Sequence, residues 1–235
     1  MAERRKRAAA PEGSGGDGPE GAASEGLRAK NKREKEERIL AAARELLSER
    51  GFEATTTRDI AERAGIGTGT LFLYVRTKEE LLLRLFRQLV EGAQARLFGA
   101  LPEDAPLVER LMFVFGGFFD MYAEDPRLSR TYIRELLFLP PDVAEEHAEV
   151  VRAFLGRLGG LLEAAKARGE VDAEVDPMVA TLGFFSLYLT TLLAWLNGPP
   201  GSEPMYRQAL RDGLQLQLRG LAPARRRPAQ SRSDT

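Results

Sequence analysis

Cysteine is absent from this 235-residue chain, and histidine occurs once, at His147. The first absence excludes disulfides, thiolate zinc sites and cysteine nucleophiles. The second removes most metal sites and most histidine-based acid–base constellations. No catalytic residue, metal ligand or cofactor is therefore assigned, and the chain is not expected to be an enzyme. Its N-terminus has no apolar signal segment, because Arg4-Arg5-Lys6-Arg7 runs into Ala, Gly, Pro and Glu. A reducing cytoplasm fits these facts. Nowhere does the sequence alternate apolar and polar residues with period two, so no sheet is expected.

A net charge of −1 gives no global basic excess. The balance is uneven along the chain, however. Residues 28–84 hold 13 Lys+Arg against 10 Asp+Glu, and residues 85–219 hold 13 against 19. A basic segment joined to an acidic body points to two kinds of partner. Residues 1–27 contain six Gly, six Ala and two Pro, too little apolar area to offset ordering entropy. A disordered tail over 1–30 and a second, basic one over 221–235 are expected, with Arg4-Arg5-Lys6-Arg7 either solvated or adding non-specific phosphate attraction.

Between the tails the period is helical, with about nine helices in an all-α chain. Ile39, Leu40, Ala43, Leu46 and Leu47 share one stripe from Lys32 onward, and Gly51 supplies a left-handed stop. Thr56 with Asp59 opens a short helix that Gly65-Ile66-Gly67 breaks. A second short helix follows over Thr68–Tyr74, and the box Thr77–Glu80 opens a long one. Asp125-Pro126 and Asp176-Pro177 are caps followed by proline at the first helical position.

The informative stretch is Thr56–Lys78. Two short helices joined by a tight glycine turn match the helix-turn-helix unit, whose second helix lies in a DNA major groove. Ile60, Ala61, Ala64, Ile66, Leu71 and Val75 can pack together and against Leu46 and Leu47. That leaves Thr57, Arg58, Thr68, Gly69, Thr70, Leu73 and Tyr74 to face outward. Periodicity alone allows a plain helical hairpin equally well. A phosphate-cradling loop at Gly65-Ile66-Gly67-Thr68-Gly69 is disfavoured: it follows a helix, lacks the third glycine at Thr70, and has no Lys-Ser/Thr after it.

The run Thr56-Thr57-Arg58-Asp59-Ile60-Ala61-Glu62-Arg63-Ala64-Gly65-Ile66-Gly67-Thr68-Gly69-Thr70-Leu71-Phe72-Leu73-Tyr74-Val75-Arg76-Thr77-Lys78-Glu79-Glu80-Leu81 resembles the signature of the tetracycline-repressor (TetR) family. The resemblance is close over roughly residues 33–93 and only architectural beyond. It implies a DNA-binding domain over 31–93, a helical effector-binding and dimerisation domain over 94–220, and a homodimeric, ligand-responsive transcriptional regulator, usually a repressor. Carried over residue by residue, Thr56, Thr57 and Arg58 approach DNA, with Arg58 on a guanine edge or a phosphate. Gly67, Thr68, Gly69, Thr70, Phe72 and Leu73 present the recognition helix, and Tyr74 and Lys78 meet phosphates. There are two departures. Phe72 stands where the family often has tyrosine, and Gly67 where it often has serine, which implies altered DNA contacts and a weaker helix start.

Met178–Leu196 is nineteen residues without a charge, near membrane-spanning length. Val179, Gly183, Ser186, Thr190 and Ala194 form a stripe of small or β-branched residues on it, which suits close helix packing in a protein interface or a bilayer. A dimer or core helix is preferred, since Thr181, Ser186, Thr190 and Thr191 and the acidic flank Asp172–Asp176 argue against a span. By resemblance, this helix and the last one, with Tyr206, Ala209, Leu210, Gly213 and Leu214, form the dimer interface. Such a dimer places two recognition helices roughly 34–36 Å apart on a palindromic operator.

Eight of the twelve Phe lie between Phe113 and Phe185. They read either as ordinary core or as the lining of a cavity for an apolar or aromatic effector, with Phe115, Phe119, Tyr122, Tyr132, Phe154, Phe185 and Tyr188 as the candidates. Arg134, Glu135 and His147 are conceivable orienting groups, although His147, among Glu145, Glu146 and Glu149, suggests an exposed face and receives no role. The expected partners are thus double-stranded DNA, a small-molecule effector and a second copy, with no membrane. The competing readings are a helical partner-binding scaffold that does not read DNA, and an apolar-ligand carrier or an enzyme using Asp, Glu or Tyr.

Overall fold

A computed structural model describes residues 19–136, 139 and 141–223. Among these residues are nine α-helices and no strand: α1 Pro19–Arg50, α2 Thr57–Arg63, α3 Thr68–Leu71, α4 Lys78–Gly99, α5 Leu107–Ala123, α6 Pro126–Leu136, α7 Pro141–Ala167, α8 Pro177–Leu196 and α9 Glu203–Leu221. The all-α expectation holds.

The tails need correction at their inner ends. Residues 19–30, expected to be disordered, continue α1 as helix, and Leu221 closes α9. The remainder of both tails, with Arg4-Arg5-Lys6-Arg7, lies outside the described residues. From residue 28 to 35 the α1 side chains are exposed, so no core holds that part of the helix. It rests on strong helix formers such as Ala, Glu, Lys and Arg, and on pairs such as Lys30–Glu34 at 3.8 Å. Composition suggested disorder because it counts missing apolar area and not local helix preference.

Helix ends follow their chemistry. Gly51 takes φ +81° directly after α1, and Gly65 takes φ +66° in the turn after α2. Thr56 Oγ1 accepts from the Asp59 amide while Asp59 accepts from the Thr56 amide at 3.0 Å, a complete capping box. At Thr77 only half the expected box forms. Its hydroxyl accepts from the Glu80 amide at 3.1 Å, but the Glu80 carboxylate turns to the Arg76 amide and to Arg84.

The short helices lack the length to stand alone. Helix α2 lies on α1 and α3 on α2, and Ile60, Ala61, Ala64, Leu71 and Val75 are buried in one core with Leu46 and Leu47. Helix α4 connects this unit to the rest. It packs against α1, and also against α5, α6 and α7, and is unbroken at residue 93, where a domain boundary was expected. Gly117 lets α5 approach α4 closely, since a Cβ there would overlap the Leu97 side chain. Helices α5 to α9 enclose the aromatic core, in which Phe115, Phe119 and Phe184 are fully buried.

Candidate DNA-reading surface and effector cavity

In the α2–turn–α3 unit, Thr56, Arg58, Gly67, Gly69, Phe72 and Leu73 are exposed, and Thr57, Thr68, Thr70, Tyr74 and Lys78 are half-buried. The turn bonds that follow α3 carry the helical path to Tyr74: the Leu73 amide donates to the Thr70 carbonyl at 3.2 Å and the Tyr74 amide to that of Leu71 at 2.8 Å. Gly67 occupies the N-cap position of α3 with no side chain to cap it, the weaker start that the sequence implied. The unit is fastened from behind. Arg63 bridges Glu45 at 2.9 Å and Glu49 at 3.3 Å on α1, and the two carboxylates hold its guanidinium pKa above the usual value. Lys78 has a structural task that the sequence did not reveal. Its Nζ donates to the Phe52 carbonyl at 2.5 Å and lies 4.2 Å from the Phe52 ring centre, locking the α1–α2 loop onto the start of α4.

A cavity of about 100 Å³ lies between α4, α5, α6, α7 and α8. Tyr122, Tyr132, Phe154, Phe185 and Tyr188 line it, as the sequence proposed, together with Val90, Phe118, Ile133, Leu136, Leu189 and Leu192. Phe115 and Phe119 are not among its lining residues. They lie behind the wall, Phe115 stacked on Tyr188 at 4.6 Å between ring centres and Phe119 on Trp195 at 5.1 Å. Burial pushes the phenols of Tyr122, Tyr132 and Tyr188 far above the usual tyrosine pKa, so all three stay neutral.

The polar members of the wall were missed or misplaced. His147 is buried, not on an exposed face, and its ring centre lies 6.5 Å from that of Tyr132. Its acidic neighbours follow the outer side of the same helix, which is what misled. Gln94 is buried as well, donating to the Val150 carbonyl at 3.3 Å. Arg134 and Glu135 pair with each other at 3.1 Å and are not among the lining residues.

Arg87 of α4, which lines the cavity and pairs with Glu146 of α7, also lines a neighbouring cleft with His147. That cleft of about 360 Å³ reaches Phe72, Leu73 and Tyr74, so the two sites share a border. At the far side of the unit, Arg44 of α1 pairs with Glu124 at the end of α5, at 3.1 Å.

Residues 39–85 match the family model described as bacterial regulatory proteins, tetR family, and residues 104–198 match that of the tetracyclin repressor-like C-terminal domain. The chain belongs to the TetR family. It is a DNA-binding, ligand-modulated transcriptional regulator. Among its relatives, the fatty acid metabolism regulator protein of Bacillus subtilis is 28% identical over 167 residues, which is 71% of this chain and 86% of that one. The transcriptional repressor KstR of Rhodococcus jostii is 28% identical over 70% of this chain and 74% of its own. Among solved structures, Thermus thermophilus FadR in complex with lauroyl-CoA is similar with a TM-score of 0.67 and 28% identity, over 83% of this chain and 98% of that one. Bacillus subtilis FadR in complex with stearoyl-CoA follows at 0.64 and 25%, over 78% and 98%.

The TetR-type pairing face proposed on α8 and α9 divides in two. Val179, Ser186, Thr190 and Ala194 of α8 and Ala209 of α9 are exposed, and Gly183 and Tyr206 are half-buried. Leu210 and Leu214, by contrast, are fully buried in this chain's own core, and Gly213 seats Leu187 of α8 so closely that a Cβ would displace it. Leu210 and Leu214 are thus taken up within the chain, while Gly213, where α9 meets α8, stays half-buried. The outer face that the sequence missed comprises Met178 and Leu182 on α8 and Met205 and Leu216 on α9, which are 44–69% exposed. By length and composition Pro177–Leu196 would also pass for a membrane span, but one side of it is packed against α7 and α9.

Proposed function

We propose that this TetR-family chain acts in the cytoplasm, without catalysis, as a homodimeric repressor whose effector is a long-chain acyl thioester of the acyl-CoA class. One observation carries the reading: the almost wholly apolar cavity has α4 as one wall, and the same helix holds the DNA-reading unit at its other end. Support for the ligand class comes from the FadR relatives that bind lauroyl-CoA and stearoyl-CoA. At about 100 Å³ the cavity falls below the roughly 300–1,000 Å³ of drug-sized ligand sites. A long acyl chain would enter by parting its walls, and α4 is one of them. Repression would be relieved because the effector binds the parted state, in which the recognition helices no longer match the operator, more tightly than the closed one.

The apolar outer face of α8 and α9 supports pairing with a second copy, and Thr57, Arg58, Thr68, Gly69 and Thr70 supply the DNA-facing surface. Selection from random duplexes should enrich a palindrome with two half-sites. Long-chain acyl-CoA should then release that duplex, while CoA alone should not. Release that does not depend on acyl length would overturn the ligand assignment, and no enrichment from a folded dimer would leave the scaffold reading in place.

A further inference from the structure

The stretch from Ala64 to Val75 contains no Arg, Lys, Asn, Gln, Asp or Glu. The bidentate pairs that read guanine and adenine in the major groove, and the carboxylate contact that reads cytosine, all need one of those side chains. What this stretch turns outward instead is apolar. Leu73 is 83% exposed and Phe72 49%, although a large apolar side chain loses free energy in contact with water. Their places on the helical path make this one surface. Phe72 lies one turn after Thr68 and Leu73 one turn after Gly69, where a Cβ would meet nothing within 4 Å, so the backbone there can come close to a base edge. The apolar feature that a major groove offers is the 5-methyl group of thymine.

We infer that Phe72 and Leu73, with the methyl groups of Thr68 and Thr70, form a thymine-methyl reader, so that half-sites are selected on this helix by methyl positions and not by bidentate hydrogen bonds. Arg58, exposed on α2, is left as the unit's reader of a guanine edge. This inference rests on the DNA-reading proposal above and gives it a chemical content. It also makes the departure at Phe72 intelligible: a ring without a hydroxyl loses a phosphate bond but keeps its face for a methyl group.

The test starts from the duplex that selection enriches. Each thymine in turn is replaced by deoxyuridine, which removes only the methyl group. At one or more thymines in each half-site, affinity should fall about fourfold per methyl lost, the equivalent of about 0.8 kcal/mol. In Phe72→Ala or Leu73→Ala, whose helical content and melting are checked first, the penalty at the matching thymine should vanish. Undiminished binding of every uridine-substituted duplex would overturn the inference while leaving DNA reading intact. A penalty that survives in both variants would overturn the assignment to Phe72 and Leu73. Failure to enrich any sequence would instead remove the DNA-reading proposal on which it rests.

Discussion

Phe115 and Leu73 are both large apolar residues on helical turns, and the chain spends them in opposite ways. Phe115 is fully buried, stacked on Tyr188 and edge-on to Phe154, whereas Leu73 is almost entirely in water. The contrast extends to the regions around them. The α2–α3 unit is too small to own a core and borrows one from α1 and α4. Its outward side chains therefore hold nothing together and can change without structural penalty. In α5–α9 most of the described rings, Phe115, Phe118, Phe154 and Tyr188 among them, pack on other rings, so an effector cavity has to be formed from residues that also keep the fold. Recognition of DNA can evolve at the surface of one region, while recognition of the effector is tied to the packing of the other.

The sharpest way to test that contrast is a matched pair of truncations. Phe115→Ala should cost about 3–5 kcal/mol in chemical denaturation, and Leu73→Ala should stay within about 0.5 kcal/mol. Equal losses would break the comparison. Arg110 offers a test of opposite sign. It is buried on α5, and its Nε and Nη1 have no hydrogen-bond partner among the described residues. Arg110→Met should therefore raise stability by about 1–3 kcal/mol, seen as a higher denaturation midpoint; a lower midpoint would mean that the guanidinium is paired.

Within the reading unit, Thr56→Ala should cost about 0.5–2 kcal/mol. Bonds from the Thr56 side chain and amide hold the Asp59 carboxyl below its usual pKa. Such a group stabilises the fold above its unfolded pKa, and the contribution disappears as pH falls through the lower folded value. The Thr56→Ala penalty should accordingly be full at pH 7 and shrink below about pH 4. A penalty constant down to pH 2 would separate the cap from the carboxylate. Lys78→Ala sharpens the border between the two regions. If Lys78 also meets a phosphate, the salt slope of DNA binding should drop by about 0.9. If it only clamps Phe52, affinity should fall with the slope unchanged. The smallest effect is expected at Gly67→Ser, which supplies the missing cap of α3 and should add a few tenths of a kcal/mol; a loss would mean that the glycine serves a close approach.

The same contrast decides how much of the molecule could be read beforehand. Caps and turn glycines act within four residues, so Thr56, Asp59, Gly51, Gly65 and Asp176 could be placed from the sequence with their roles. The inward set around Ile60, Leu71 and Val75 was legible too, because only one core lies within reach of so short a unit. Apolar periodicity is less informative in α9. It shows that Leu210 and Leu214 turn away from water, but the same stripe serves a partner helix in the chain or in a second copy. His147 was misplaced because acidic neighbours on one helix face conceal what the opposite face touches. The helical extension of α1 was missed because composition does not register local helix preference, which over residues 28–35 holds a helix whose side chains are exposed.

Helix α4 has one more consequence, which is mechanical. Its 22 residues make a rod about 33 Å long, clamped by Lys78 and Phe52 at one end and carrying the cavity wall on its other half. A tilt of about 5° about one end of such a rod moves the other by about 3 Å. Sub-ångström repacking around an acyl chain would thus be magnified along a lever arm into a displacement comparable to the reach of a hydrogen bond. Two copies, each moving its own reader, would double the error in their spacing. A regulator built in this way needs no large rearrangement at its effector site to lose its grip on DNA, only a small angle applied far from the groove.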